Sequence, residues 1–132
     1  MTVSILTITH GKVGHELLVT AQSMLGTLPL SCKALSVSDR CDPDELLDKA
    51  KKLCAELDQG DGILVLTDIY GSTASNICNK LNNTTHVHVL AGMSLPMLIR
   101  FMNYPKLSLV KLVEKAKSGA HDGIIDYSSK ES

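Results

Sequence analysis

The chain is predicted to fold as an α/β domain, a doubly wound and largely parallel sheet with helices on both faces. Three observations carry this. Strand-like runs of β-branched and apolar residues alternate along the chain with stretches whose apolar residues recur at helical spacing. One run, Gly62-Ile63-Leu64-Val65-Leu66-Thr67-Asp68, is apolar almost without a break, as suits a central parallel strand covered on both faces. The length of 132 residues fits one domain, and a 44% hydrophobic fraction supplies its core.

Val3 to Thr9 is β-branched and alternating, and reads as the first strand. His10-Gly11-Lys12-Val13-Gly14 is a glycine-rich loop. Leu17, Leu18, Ala21, Met24 and Leu25 then mark an amphipathic helix, closed by Gly26 and Pro29. Cys32 to Val37 is a short second strand. Asp42-Pro43-Asp44-Glu45 is a strong helix start: a capping side chain, a proline suited to the first helical position, and acids in the first turn. Leu46, Leu47, Ala50, Leu53, Cys54 and Leu57 form its buried stripe, and Gly60 follows its end.

After the third strand, the loop Asp68 to Thr73 leads into a helix from about Thr73 to Leu81. Thr85 to Ala91 reads as a fourth strand. Pro96 opens another helix, and a further one spans about Leu107 to Lys117. Gly123-Ile124-Ile125-Asp126-Tyr127 reads as a short C-terminal strand. Residues 1–127 thus form a single domain, and Ser128 to Ser132 a flexible tail.

Thirteen Lys and Arg face 14 Asp and Glu, so the net charge of −1 leaves no electrostatic footprint for nucleic acid. With 3% aromatics, a stacking platform for single strands is also lacking. The N-terminus has no basic segment ahead of its apolar run, and no run approaches the ~20 apolar residues of a membrane span. The expectation is a cytoplasmic chain without direct membrane insertion. Cys32, Cys41, Cys54 and Cys78 contain no C-x-x-C, so neither zinc nor redox chemistry is suggested. Cys54 and Cys78 read as small core residues.

In open α/β sheets, ligands bind beyond the carboxyl ends of the strands. The first strand ends at His10 and the third at Asp68. If those strands are neighbours, the two side chains face each other. A neutral imidazole is nucleophilic at one nitrogen while the other carries a proton. A carboxylate accepting that proton's hydrogen bond fixes tautomer and orientation, and stabilises the charge the ring gains as it attacks phosphorus. Gly71, Ser72 and Thr73 would then form the phosphate-binding turn at a helix N-terminus. This catalytic set calls for neither a metal nor a cofactor.

Other residues read as structural. His86 and His88 suit core or edge positions rather than metal ligation, His15 a solvated one, and His121-Asp122 a surface turn. Met93, Met97 and Met102 read as packing. Lys12 and Arg100 read as solvated charges.

Three stretches resemble a known family. Val3 to His10-Gly11 with its following helix resembles the start of the mannose-family IIA domain of the bacterial phosphoenolpyruvate-dependent sugar phosphotransferase system (PTS). Gly62 to Asn76 resembles its second signature, and Ala91-Gly92-Met93-Ser94-Leu95-Pro96-Met97-Leu98 its third. The resemblance implies a phosphotransferase in which His10 accepts phosphate from the histidine-containing phosphocarrier HPr. The group passes to a IIB component and then to a sugar entering through a permease. Asp68 matches the carboxylate partner of the active histidine, and Thr73 the phosphate-contacting hydroxyl. The resemblance also implies a homodimer with the C-terminal strand exchanged between subunits.

The chain departs from the family pattern where two glycines are usually followed by Ser or Thr, Pro, Phe and Asn. Ser72 stands for the second glycine, Ala74 for the proline and Ser75 for the phenylalanine. Two alternatives follow: a regulatory module whose His10 phosphorylation controls a protein partner, and the phosphoryl-donor subunit of a dihydroxyacetone kinase. A receiver-like domain phosphorylated on Asp68 would want acids at the end of the first strand, where the chain has Thr7-Ile8-Thr9-His10.

Overall fold

Consecutive apolar residues on the two adjacent strands point to opposite faces and have to be covered from both sides, and the molecule is layered accordingly. A computed structural model describes residues 2–82 and 86–128. The elements run β1 (Ser4–His10), α1 (Val13–Leu25), β2 (Cys32–Val37), α2 (Pro43–Leu57), β3 (Ile63–Thr67), α3 (Thr73–Leu81), β4 (Val87–Ala91), α4 (Leu95–Met102) and α5 (Leu109–Asp122). The four strands form one parallel sheet in the order β2-β1-β3-β4.

Register puts Ile5 beside Leu64 and Leu6 beside Val65. Ile5, Leu64 and Leu66 face one way, onto Leu18 and Ala21 of α1, Leu98 and Phe101 of α4, and Leu112 and Ala116 of α5. Leu6, Ile8, Ile63 and Val65 face the other, onto Leu46, Ala50 and Cys54 of α2 and Ile77, Cys78 and Leu81 of α3. The sole phenylalanine, Phe101, is fully buried. Met93, Met97 and Met102 pack into the same layer, filling an aliphatic core that has few rings.

The start of α2 follows the predicted chemistry. Asp42 caps α2, its carboxylate accepting the Asp44 N–H at 3.0 Å, with Pro43 in the first turn. Ser94 and Ser108 cap α4 and α5 in the same way. Cys54 and Cys78 are buried as expected, and burial pushes their thiols up to about 11 and about 12.

Three expectations are corrected. Residues 123–127 form no strand within the chain: Ile124, Ile125 and Tyr127 are exposed, and a strand needs a neighbouring edge to satisfy its backbone, which this chain's own sheet does not offer the segment. Instead α5 runs on to Asp122, so His121 and Asp122 lie in its last turn rather than in a loop. Gly119 explains the close fit there, because a Cβ at that position would run into Arg100 of α4. Arg100 in turn donates to Asp122 at 3.1 Å and to Ser118 at 3.3 Å, so its charge is paired rather than free. β4 is described from Val87, and Thr85, expected to begin it, lies outside the described residues, as do residues 129–132. His86 and His88 are exposed, the latter on the edge strand.

Candidate active site

All four strands are parallel, so their carboxyl ends share one side of the sheet, and β1 and β3 are adjacent there. β1 continues three residues beyond its last pair with β3, Thr7 with Leu66, and ends at His10. Asp68 is the first residue after β3. The two side chains meet as expected: His10 Nδ1 lies 3.1 Å from Asp68 Oδ2 and 3.3 Å from Oδ1.

The carboxylate is held from several sides. Its Oδ2 also accepts the backbone N–H of His10 at 3.2 Å, and its Oδ1 accepts that of Ile69 at 3.0 Å. Burial works to raise the Asp68 carboxyl, but hydrogen bonds from the His10 ring, the His10 backbone and its own backbone outweigh it, leaving the group below its ordinary value. Asp68 is therefore ionised at neutral pH. It is 14% exposed against 44% for His10, so the orienting group sits inside and the ring faces outward. In a neutral ring, the tautomer whose Nδ1–H donates to the carboxylate leaves the lone pair on Nε2.

The chain around His10 is fixed at each exit. Gly11 turns with φ of +48°, a left-handed conformation that suits glycine, and its N–H donates to Val37 O at 3.1 Å. The Gly14 N–H, in the first turn of α1, donates to the buried Thr9 hydroxyl at 2.8 Å. Thr9 was not singled out from the sequence, where a threonine in a β-branched strand carries no signal of its own.

The predicted turn follows β3. Gly71 has φ of +88° and Thr73 opens α3. The Ser72 hydroxyl caps that helix, accepting the Ser75 N–H at 3.2 Å and donating to Ile69 O at 3.0 Å. The N–H groups of Thr73 and Ala74 have no acceptor within the helix. Thr73 is exposed and borders a cavity of about 510 Å³ between α2 and α3. Ser75 and Ala74 are buried. Ser75 borders a second cavity of about 130 Å³ with Thr67, Tyr70, Asn79 and Asn82.

His15 is exposed on α1, and no cluster of three or more metal-ligating side chains occurs among the described residues. No helix there is long and apolar enough to cross a membrane.

Comparison with known proteins gives this geometry a setting. Residues 4–117 match the family model described as PTS system fructose IIA component. The PTS system mannose-specific EIIAB component of Escherichia coli (strain K12) is 30% identical over 100 residues, 75% of this chain. The chain spans only 31% of the length of that relative. A mannose/sorbose-specific IIA subunit from Enterococcus faecalis superposes with a TM-score of 0.85, at 20% identity, over 99% of this chain and 98% of that one. An EIIA component from Streptococcus agalactiae gives 0.82 at 23% identity, over 96% of this chain and 98% of that one. The fold is thus shared with solved IIA structures, and the family match covers both strand ends that carry His10 and Asp68. The chain belongs to the mannose-type IIA family of the PTS.

Proposed function

We propose that this protein carries a phosphoryl group on Nε2 of His10, taking it from the phosphocarrier HPr and passing it to a IIB component for sugar uptake. The observation that carries the reading is the 3.1 Å contact between His10 Nδ1 and the Asp68 carboxylate, which leaves Nε2 as the free nucleophile. Nε2 forms the new N–P bond as the donor's N–P bond breaks, and that electron pair stays on the donor imidazole. The His10 ring gains positive charge, and Asp68 balances it while holding the Nδ1 proton. The acceptor on the next component reverses the step.

The oxygens of the group would be received by the Gly71-Ser72-Thr73 turn. There the exposed Thr73 offers its hydroxyl and its N–H, while the Ser72 hydroxyl holds the helix start. An exposed nucleophile suits a macromolecular donor better than a small enclosed substrate. Exposed Ile69 and Tyr70 beside Asp68 offer such a donor apolar surface. The same surface favours a second reading, in which a partner senses the phosphorylation state of His10 and the output is regulation. The exposed Ile124, Ile125 and Tyr127 support a homodimer in which this segment pairs with the other subunit. A cytoplasmic location goes with HPr as donor.

The test is to mix the protein with phosphoenolpyruvate, enzyme I and HPr and weigh it intact. A single added phosphate, acid-labile, alkali-stable and absent from His10→Ala, is expected. A folded wild-type chain that gains no phosphate refutes the reading. Adding a IIB component separates the two outputs: phosphate leaves His10 in a relay, and stays there in a regulator.

A further inference from the structure

We propose that Thr9 is a positioning residue for His10, acting through the hydrogen bond its buried hydroxyl accepts from Gly14. The inference concerns how the nucleophile is held, and its kinetic consequence rests on the phosphoryl-transfer reading above.

Thr9 shares the face of β1 that carries Ile5, the side packed against α1, and it is 1% exposed. An apolar side chain would suit such a position. The hydroxyl instead meets the Gly14 N–H at 2.8 Å, one of the first-turn donors of α1 that no intrahelical acceptor can satisfy. The bond joins the residue before His10 to the first turn of α1, and so closes the loop that His10 begins.

Gly14 makes this approach possible. A Cβ there would fall 3.0 Å from Thr9 Oγ1 and still closer to the Thr7 hydroxyl, so α1 seats its first turn directly on the two threonines. The loop is then pinned at three points: the His10 N–H on Asp68, the Gly11 N–H on Val37 and the Gly14 N–H on Thr9. The last joins the strand end to the first turn of α1, beside the helix bond from the Glu16 N–H to Lys12 O at 2.9 Å. Without it, Gly11, with no Cβ to restrict it, is free to turn, and the His10 backbone and ring shift relative to the carboxylate. The imidazole then loses the single tautomer that leaves Nε2 unprotonated.

The test compares Thr9→Val, which keeps the shape and removes the acceptor, with Thr9→Ser, which keeps the acceptor and removes the methyl. With phospho-HPr as donor, Thr9→Val is expected to lower the maximal transfer rate roughly ten- to a hundredfold at an unchanged KM, the loss typical of a misplaced reacting group. Thr9→Ser should restore most of that rate. Nitrogen NMR of the unphosphorylated His10 ring should show one tautomer in wild type and Thr9→Ser, and a mixture in Thr9→Val. If Thr9→Val does not fold, Thr9→Ala removes the acceptor without adding an apolar group and takes its place. A wild-type rate and tautomer in Thr9→Val overturn the proposal, as does a Thr9→Ser that loses as much as Thr9→Val. If the wild-type protein accepts no phosphate, the carrier reading fails by itself, and the tautomer comparison still decides the role of Thr9.

Discussion

Replacing Asp68 by asparagine removes one charge and almost no volume, which makes it the sharpest probe of the mechanism. The carboxylate accepts three N–H groups: the His10 ring and backbone on Oδ2, and the Ile69 backbone on Oδ1. An asparagine has one oxygen to offer. Turned toward His10, the oxygen keeps two of these bonds and sets its amide against the Ile69 N–H. Turned toward Ile69, it sets the amide against both His10 donors. The first arrangement loses least, so the tautomer with Nε2 free survives and the main loss is charge. A unit charge about 4 Å from the imidazolium formed on transfer is worth ~1 kcal/mol in bulk water and ~4 kcal/mol at an effective dielectric near 20. His10 is 44% exposed, which places the pair toward the lower figure. About 2 kcal/mol corresponds to roughly thirtyfold in rate. Single-turnover transfer from phospho-HPr at saturating donor measures this directly. A rate within about twofold of wild type, less than 0.5 kcal/mol, would remove the carboxylate's charge from the mechanism. The same variant carries a pH signature. Because the folded-state pKa of Asp68 is depressed, its stabilising contribution is present above the ordinary carboxylate value and lost as pH falls through the folded value. Below about pH 4, wild type should therefore lose its stability advantage over Asp68→Asn in thermal melts followed by circular dichroism.

Two further outcomes check other parts of the description. Ser72→Ala should lower stability by about 1 kcal/mol in urea denaturation, the usual cost of a lost N-cap, because its hydroxyl accepts the Ser75 N–H. Phosphorylation of that variant should stay near wild type, and a selective loss of transfer with unchanged stability would give Ser72 a phosphate role instead. Among the thiols, Cys41 should alkylate first at mildly alkaline pH. Hydrogen bonds from the Ser38 side chain and backbone hold it below its ordinary value, whereas burial raises Cys32, Cys54 and Cys78 to about 12, 11 and 12. Faster labelling of Cys54 or Cys78, read by peptide mass spectrometry, would mean that the α2–α3 side of the core opens readily.

Much of this is legible in the sequence. The period-two pattern of β1 identifies a strand, and the unbroken apolar run of β3 a central one, because such a run is stable only when covered on both sides. Asp42-Pro43 announced α2 because capping and a fixed φ act within a few residues. His10 and Asp68 stood out because each closes a strand and their chemistries complement one another. Local patterning alone determined those features. Tertiary structure decided the rest. That β1 and β3 are neighbours, and so that the ring and carboxylate meet at 3.1 Å, depends on strand order, which no local pattern encodes. Residues 123–127 have strand-like composition but pair with no edge of their own chain, and β-propensity has no effect until a partner supplies hydrogen bonds. The hydroxyls divided in the same way. The Ser72 hydroxyl, in the turn expected to bind phosphate, caps α3, which leaves that expectation open, and the Thr9 hydroxyl, in an ordinary strand pattern, joins the nucleophile's loop to α1. A hydroxyl serves whichever donor the fold brings within about 3 Å, and for Thr9 that donor is five residues along the chain, on a helix seated there only because Gly14 has no side chain.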